Sequence, residues 1–234
     1  MLIGGWQKLS LLDYPDHLST VIFTIGCNFR CHFCYNPQLV VPGGENKKGH
    51  SLISEDDLFQ FLQSRMNKLE AVVITGGEPT LQKDLIKFIK KIKQLKFLIK
   101  LDTNGTNPEM LEKLISLKLV DYIAMDIKAP LAKYQQVVNA KILLNDIKKS
   151  IKIIIENGVP YEFRTTIVPD LHSEEDIMIM GQLINGADKW YLQSFHGQVN
   201  LVNPDFKNKK SYSDREMKEF CNIAKGYVKH CGVR

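Results

Sequence analysis

The sequence predicts an α/β protein built on a parallel sheet. Six short, apolar, β-branched segments recur along the chain. Amphipathic helical patterns fall between them. Polar, chemically capable residues stand directly after several of the strands. With 234 residues the chain suits one large domain, and 44% hydrophobic against 24% charged residues can bury a substantial core, which excludes a disordered chain.

The elements follow in order. STVIFTI at 19–25 reads as a buried strand. A Gly- and Pro-bearing stretch through Pro42-Gly43-Gly44 comes next. Ser54 then starts a helix, with Asp57 three residues on as a variant capping box and Leu58, Phe61 and Leu62 on one face. AVVIT at 71–75 is the second strand. Its helix, 82–95, turns Leu85, Ile89 and Ile92 inward and Lys87, Lys90 and Lys91 to water. FLIKLD at 97–102 is the third strand, and a helix over 108–117 opens on Pro108. DYIAMDI at 121–127 is the fourth, followed by a helix over 141–156 that ends at Asn157-Gly158. YEFRTTIV at 161–168 is the fifth, with a helix over 174–185 ending near Gly186. KWYLQSF at 189–195 is the sixth, and a last helix covers 213–230. The expected division is an N-terminal extension (1–18), a strand–helix body (19–196) and a C-terminal helical segment (197–234) of a single domain. Periodicity fits an open doubly wound sheet and a curved, incomplete barrel equally. Both place the site at the carboxyl ends of the strands.

No apolar run approaches the roughly 18–20 residues that span a bilayer. The opening MLIGGWQKLSLLDYPD lacks a basic region followed by an apolar one, so no signal peptide is expected and a cytoplasmic setting is. A net charge of +5 permits an acidic partner without demanding nucleic acid. The five cysteines make an odd set, which argues against a disulfide framework. Cys27, Cys31 and Cys34 crowd into eight residues, while Cys221 and Cys231 lie far off and read as ordinary thiols.

Chemistry gathers on one rim. The first strand is followed by Gly26-Cys27-Asn28-Phe29-Arg30-Cys31-His32-Phe33-Cys34, the second by Gly76-Gly77-Glu78-Pro79. The third ends in Asp102-Thr103-Asn104-Gly105 and the fourth in Asp126-Ile127-Lys128. Arg164 lies on the fifth, and His196 follows the sixth. Three thiolates on one loop can hold three irons of a cubane cluster and leave the fourth open to a small molecule. The competing reading is a zinc site with His32 as fourth ligand. Gly76 and Gly77 let backbone approach a ligand closely, and Glu78 offers an acceptor for an ammonium group.

C-x3-C-x2-C with Phe33 before the last cysteine, followed by GGEP, resembles the radical S-adenosylmethionine (SAM) enzymes. The resemblance implies a partial (βα)6 barrel, TIM-like in its parallel strands. It also implies a 4Fe-4S cluster whose open iron chelates SAM, and reductive release of a 5′-deoxyadenosyl radical. GWQKLSLLDYP, TGGEPTLQKDL, KLDTNGTNPEML, LVDYIAMDIKAPLAKY and YEFRTTIVPDLH are similar to the anaerobic ribonucleoside-triphosphate reductase activating proteins. These matches run from residue 4 to about 196. That family places a glycyl radical on its reductase, fed by an electron donor such as flavodoxin or ferredoxin, with no role for nucleic acid or membrane.

The resemblance also assigns roles. Cys27, Cys31 and Cys34 ligate the cluster, and Phe33 lies against the adenine. Gly76, Gly77 and Glu78 meet the methionine amino group. Asp102 meets the ribose or a nearby monovalent cation, Asp126 and Lys128 face the methionyl end or that cation, and His196 approaches the ribose. The chain departs from the family at His32 and Tyr35, and at Asp16, where a glycine usually follows Tyr-Pro. Asp102, Asp126, Lys128 and Arg164 also admit a purely structural pairing. His17, His50, His172 and His230 read as surface residues. Two other functions compete: a radical SAM enzyme with a small-molecule substrate, such as a 7-carboxy-7-deazaguanine synthase, and a zinc or iron–sulfur adaptor without catalysis.

Overall fold

The computed structural model describes residues 1–40 and 52–234, so the Pro42-Gly43-Gly44 turn and His50 lie outside the described residues. The core element is one eight-stranded sheet whose spatial order equals its chain order. It comprises β1 (Ile3–Ser10), β2 (Ser19–Thr24), β3 (Ala71–Gly76), β4 (Leu98–Thr103), β5 (Tyr122–Asp126), β6 (Tyr161–Ile167), β7 (Lys189–Ser194) and β8 (His230–Val233). β1 pairs antiparallel with β2, and every later pair is parallel. The helices are α1 (Pro37–Val40), α2 (Glu55–Ser64), α3 (Leu85–Gln94), α4 (Pro108–Ser116), α5 (Tyr134–Val138), α6 (Leu144–Glu156), α7 (Glu174–Leu183) and α8 (Asp214–Ala224).

Helix starts follow their capping chemistry. The Ser54 hydroxyl accepts the Asp56 N–H, and three acidic residues fill the first turn of α2, where the helix dipole favours them. The return bond of a capping box is instead found at Ser173/Asp176 of α7 and Ser213/Glu216 of α8.

The sheet buries both faces, through two separate cores. On β3, Val72 and Ile74 point to the helices and join the large core with Leu85, Ile89 and Ile92. Ala71 and Val73 point the other way and meet Val21, Tyr122 and Tyr14 in a second cluster. Side chains from β2, β3 and β5 meet on one face only if the sheet curls around them, which makes it a partial barrel. β1 and β8 do not pair, so the barrel stays open. Tyr14, in the turn after β1, packs 5.7 Å from Tyr122 and plugs the amino-terminal end. Polar space is left at the carboxyl end.

Several expectations need correction. Among the described residues eight strands form, not six: residues 3–10, expected to be extension only, make β1. The helix expected over 213–230 stops at Ala224, and the chain re-enters the sheet as β8 beside β7. A four-residue strand reading HCGV carries too little apolar pattern to be seen. His172, expected at the surface, is 2% exposed. No helix among the described residues is long and apolar enough to cross a membrane.

Asp16 adopts φ 63°, the left-handed region in which a side chain is strained and glycine is not. Asp16→Gly is therefore expected to stabilise the fold by about 0.5–1 kcal/mol, read as a raised denaturation midpoint.

Candidate active site

A cavity of about 380 Å³ opens at the carboxyl ends of the strands. The loop after β2 gives it Cys27, Cys31, Phe33 and Cys34, and the end of β3 gives Gly76, Gly77 and Glu78. β4 and β5 give Asp102, Asp126 and the adjacent Lys128, and His196 follows β7. Every site residue singled out from the sequence thus lines one cavity.

The cysteine loop is held from several sides. The Arg30 guanidinium donates to the carbonyls of Cys27 and Phe29, each at 2.7 Å. The Val202 N–H donates to the Cys34 carbonyl and the Asn203 N–H to the His32 carbonyl, both at 3.1 Å. All three thiols are free. Burial pushes the Cys27 thiol up to about 11 and Cys31 to about 12, with the Cys34 thiol adding to both, and burial also raises Cys34. Three thiols, none in a disulfide, facing one cavity are a donor set for iron, which would deprotonate them. Among the described residues, no three His, Cys, Asp or Glu side chains close on one point as a single ion requires. The zinc reading also loses its fourth ligand: His32 stacks on Phe206 at 5.2 Å, with Nδ1 at 3.1 Å from the Asn203 amide.

The glycine pair is demanded by packing. Gly76 has φ 109°, and a Cβ there would stand 2.4 Å from the Thr24 nitrogen. A Cβ on Gly77 would stand 2.1 Å from the Gly26 carbonyl oxygen. That oxygen accepts the Glu78 N–H at 2.8 Å, so the β3 end is tied to the cysteine loop. Gly77→Ala is expected to part these two loops and to cost several-fold in reconstituted iron content, measured against wild type.

Glu78 differs from the expectation of a free acceptor. It is 1% exposed. Oε1 accepts from the Thr80 N–H at 3.0 Å, the Thr80 hydroxyl at 2.5 Å and the Thr103 hydroxyl at 2.8 Å. Oε2 accepts the Asn104 N–H at 2.7 Å. Burial raises its pKa, and these donors offset part of that rise. The side chain thus fixes the end of β4, leaving mainly backbone at this turn to face a ligand. Asn104 in turn donates to Asn28 on the cysteine loop at 2.8 Å.

A charge ladder crosses the inner wall. Lys100 pairs with Asp102 at 2.6 Å, and Arg164 bridges Asp102 and Asp126, each at 3.0 Å. Lys128 closes the run on Asp126 at 2.9 Å. Burial alone would raise both carboxyls, but Arg164 and the lysines outweigh it. Asp126 is held down to about 2 and Asp102 is lowered. A carboxyl depressed in the fold stabilises it fully above its unfolded value of about 3.9. That stability is lost as pH falls towards 2. These two carboxyls are expected to contribute a constant stability above about pH 5 and a steadily falling one below pH 4, read as urea midpoints across an acid titration.

Phe33 is buried, with the Lys128 ammonium 5.9 Å from its ring centre. His196 is exposed at the mouth, and its backbone N–H donates to the Tyr35 hydroxyl at 2.8 Å. The sequence reading gave no role to Asn104, Gln193 and Arg234, which also line the cavity, and left Arg164 open between a structural ion pair and a cation for a substrate carboxylate. Arg164 had a signal: Glu162, Arg164 and Thr166 form a period-two polar run, which marks a strand facing a polar interior. Arg234 had none, because it follows the unpredicted β8 and is fixed by Glu162 at 2.9 and 3.2 Å.

The Radical SAM superfamily model matches residues 21–183. A protein of Methanocaldococcus jannaschii, MJ1227, provisionally named a glycyl-radical enzyme activating enzyme, is 37% identical across 100% of this chain and 95% of its own length. The pyruvate formate-lyase-activating enzyme of Clostridium pasteurianum is 28% identical over 88% of each chain. Among solved structures, Streptococcus suis SuiB bound to S-adenosylmethionine superposes with a TM-score of 0.65 at 17% identity, over 92% of this chain and 49% of that one. The chain belongs to the radical SAM superfamily and, within it, to the family of glycyl-radical enzyme activating enzymes. Membership brings a 4Fe-4S cluster and SAM as cofactors, and the convergent thiols fit the first.

Proposed function

We propose that this enzyme reductively cleaves SAM and uses the 5′-deoxyadenosyl radical to generate a glycyl radical on anaerobic ribonucleoside-triphosphate reductase. The observation that carries the reading is the convergence of three free thiols with the Gly76-Gly77 strand end in one cavity. The full-length likeness to MJ1227 supports the activase class, and the KLDTNGTNPEML and LVDYIAMDIKAPLAKY stretches support the reductase as target.

A cluster bound at Cys27, Cys31 and Cys34 would supply the electron for sulfonium cleavage of SAM, and the protein supplies position. Cys27, Cys31 and Cys34 hold the cluster. Backbone at Gly76, Gly77 and Glu78 takes the methionine amino group, while the Glu78 carboxylate keeps Thr103 and Asn104 in register. Arg164 and Lys128 present positive charge for the methionine carboxylate. Asp102 and His196 face the ribose, and Phe33 the adenine. A monovalent cation would have to displace Lys100, Arg164 or Lys128 from Asp102 and Asp126, which these ion pairs oppose. Phe29, Phe33 and Val40 give the cavity an apolar wall against water, and the open edge of the barrel admits a peptide loop. The partners are the reductase and a small electron carrier such as flavodoxin or ferredoxin, in the cytoplasm.

The test is anaerobic and comparative. Reconstituted protein, SAM and dithionite are incubated with the reductase, with pyruvate formate-lyase, or alone. A glycyl-radical doublet in electron paramagnetic resonance with the reductase is expected. A doublet only with pyruvate formate-lyase reassigns the target. Deoxyadenosine without any doublet moves the substrate to a small molecule.

A further inference from the structure

His172 sits between β6 and α7, outside the cavity lining, and its two ring nitrogens tie its own loop to a residue that lines the cavity. The Val168 N–H donates to Nδ1 at 3.0 Å, which makes Nδ1 the acceptor and leaves the proton on Nε2. Nε2 then donates to the Lys128 carbonyl at 2.8 Å. Burial lowers its pKa, so this neutral form persists at ordinary pH. The ring edge meets Phe33 at 6.4 Å and 73°. The Tyr212 hydroxyl donates to its backbone carbonyl at 2.7 Å, fixing the loop from outside. Lys128 itself reaches over Phe33 and onto Asp126. One imidazole therefore links the loop after β5, the loop after β6 and the aromatic of the cysteine loop.

We propose that His172 is a positioning residue for SAM. Its long-range Nε2–H bond to the Lys128 carbonyl and its packing under Phe33 set the spacing of the two side chains that flank the ligand. The inference rests on the reading that this cavity takes SAM. His172 acts through Lys128 and Phe33, and touches no ligand.

Two amides separate the two ring bonds. His172→Gln can place an N–H near the Nε2 position and keep the bond to the Lys128 carbonyl. His172→Asn can replace only the local acceptor at Nδ1. Both lose one hydrogen bond, so a merely structural role lowers stability and affinity in both alike. The readout is calorimetric affinity for S-adenosylhomocysteine on anaerobically reconstituted protein, with melting temperature alongside. His172→Gln is expected within about threefold of wild type, and His172→Asn about tenfold weaker, the size of one buried hydrogen bond. Equal affinity in the two variants would overturn the proposal. A wild type that binds no S-adenosylhomocysteine would overturn the cofactor reading itself, and the proposal with it.

Discussion

Replacing Cys31 with alanine is expected to abolish SAM cleavage outright. Cys31 is the most buried of the three thiols and lies between the other two in the loop. Arg30, just before it, ties the loop to its own carbonyls and, through its N–H, to the Val138 carbonyl at 2.8 Å. The loop therefore keeps its shape when one sulfur is removed, while the cluster loses one of three ligands. The cost to the fold is a small cavity, on the order of 1 kcal/mol. Circular dichroism should be unchanged, iron and sulfide content should fall sharply after reconstitution, and 5′-deoxyadenosine should drop to background. Cleavage surviving in Cys31→Ala would remove the cluster from this loop. Cys221→Ala serves as the control: that thiol is buried on α8, distant from the cavity lining, and its loss should leave cleavage intact.

The second large effect is on stability. Arg164→Ala removes the one side chain that bridges Asp102 and Asp126. Each carboxylate keeps a single lysine, in a wall where Asp102 is 8% exposed. Breaking a buried pair from one side typically costs about 3–5 kcal/mol, a large part of the roughly 5–15 kcal/mol that holds a domain together. The loss should show as a lower urea midpoint at neutral pH. It should shrink as pH falls below 4, because protonation then relieves the carboxylates in the variant before the wild type. Arg164→Lys keeps the charge but lacks the planar fork needed to serve both partners, so it should fall between. A change under about 1 kcal/mol in Arg164→Ala would mean that the lysines alone carry the ladder.

The sequence was most legible where pattern and chemistry coincide. β2, β3 and β5 read as short apolar runs, because strands covered on both faces must be apolar on both, while β4, β6 and β7 alternate apolar residues with polar ones. The rim then followed from topology alone, since parallel strands carry their following residues to the same end. β1 and β8 did not follow. IGGWQKLS has two glycines and an exposed outer half, and HCGV is too short, so only pairing with a neighbour makes them strands. His172 was missed for a related reason: nothing local announces a histidine whose partner lies 44 residues away. Glu78 was found but given a freer side chain than it has, because half of its donors come from the distant end of β4. Motifs locate such residues, and only tertiary contacts say which of their atoms are already taken.

The most direct measurement is 5′-deoxyadenosine release by anaerobically reconstituted protein given SAM and dithionite, with the cluster verified by its absorption and iron content. The structure predicts release that depends on all three of Cys27, Cys31 and Cys34. A verified cluster that leaves SAM intact would contradict it, and would leave the chain an iron–sulfur protein without this chemistry.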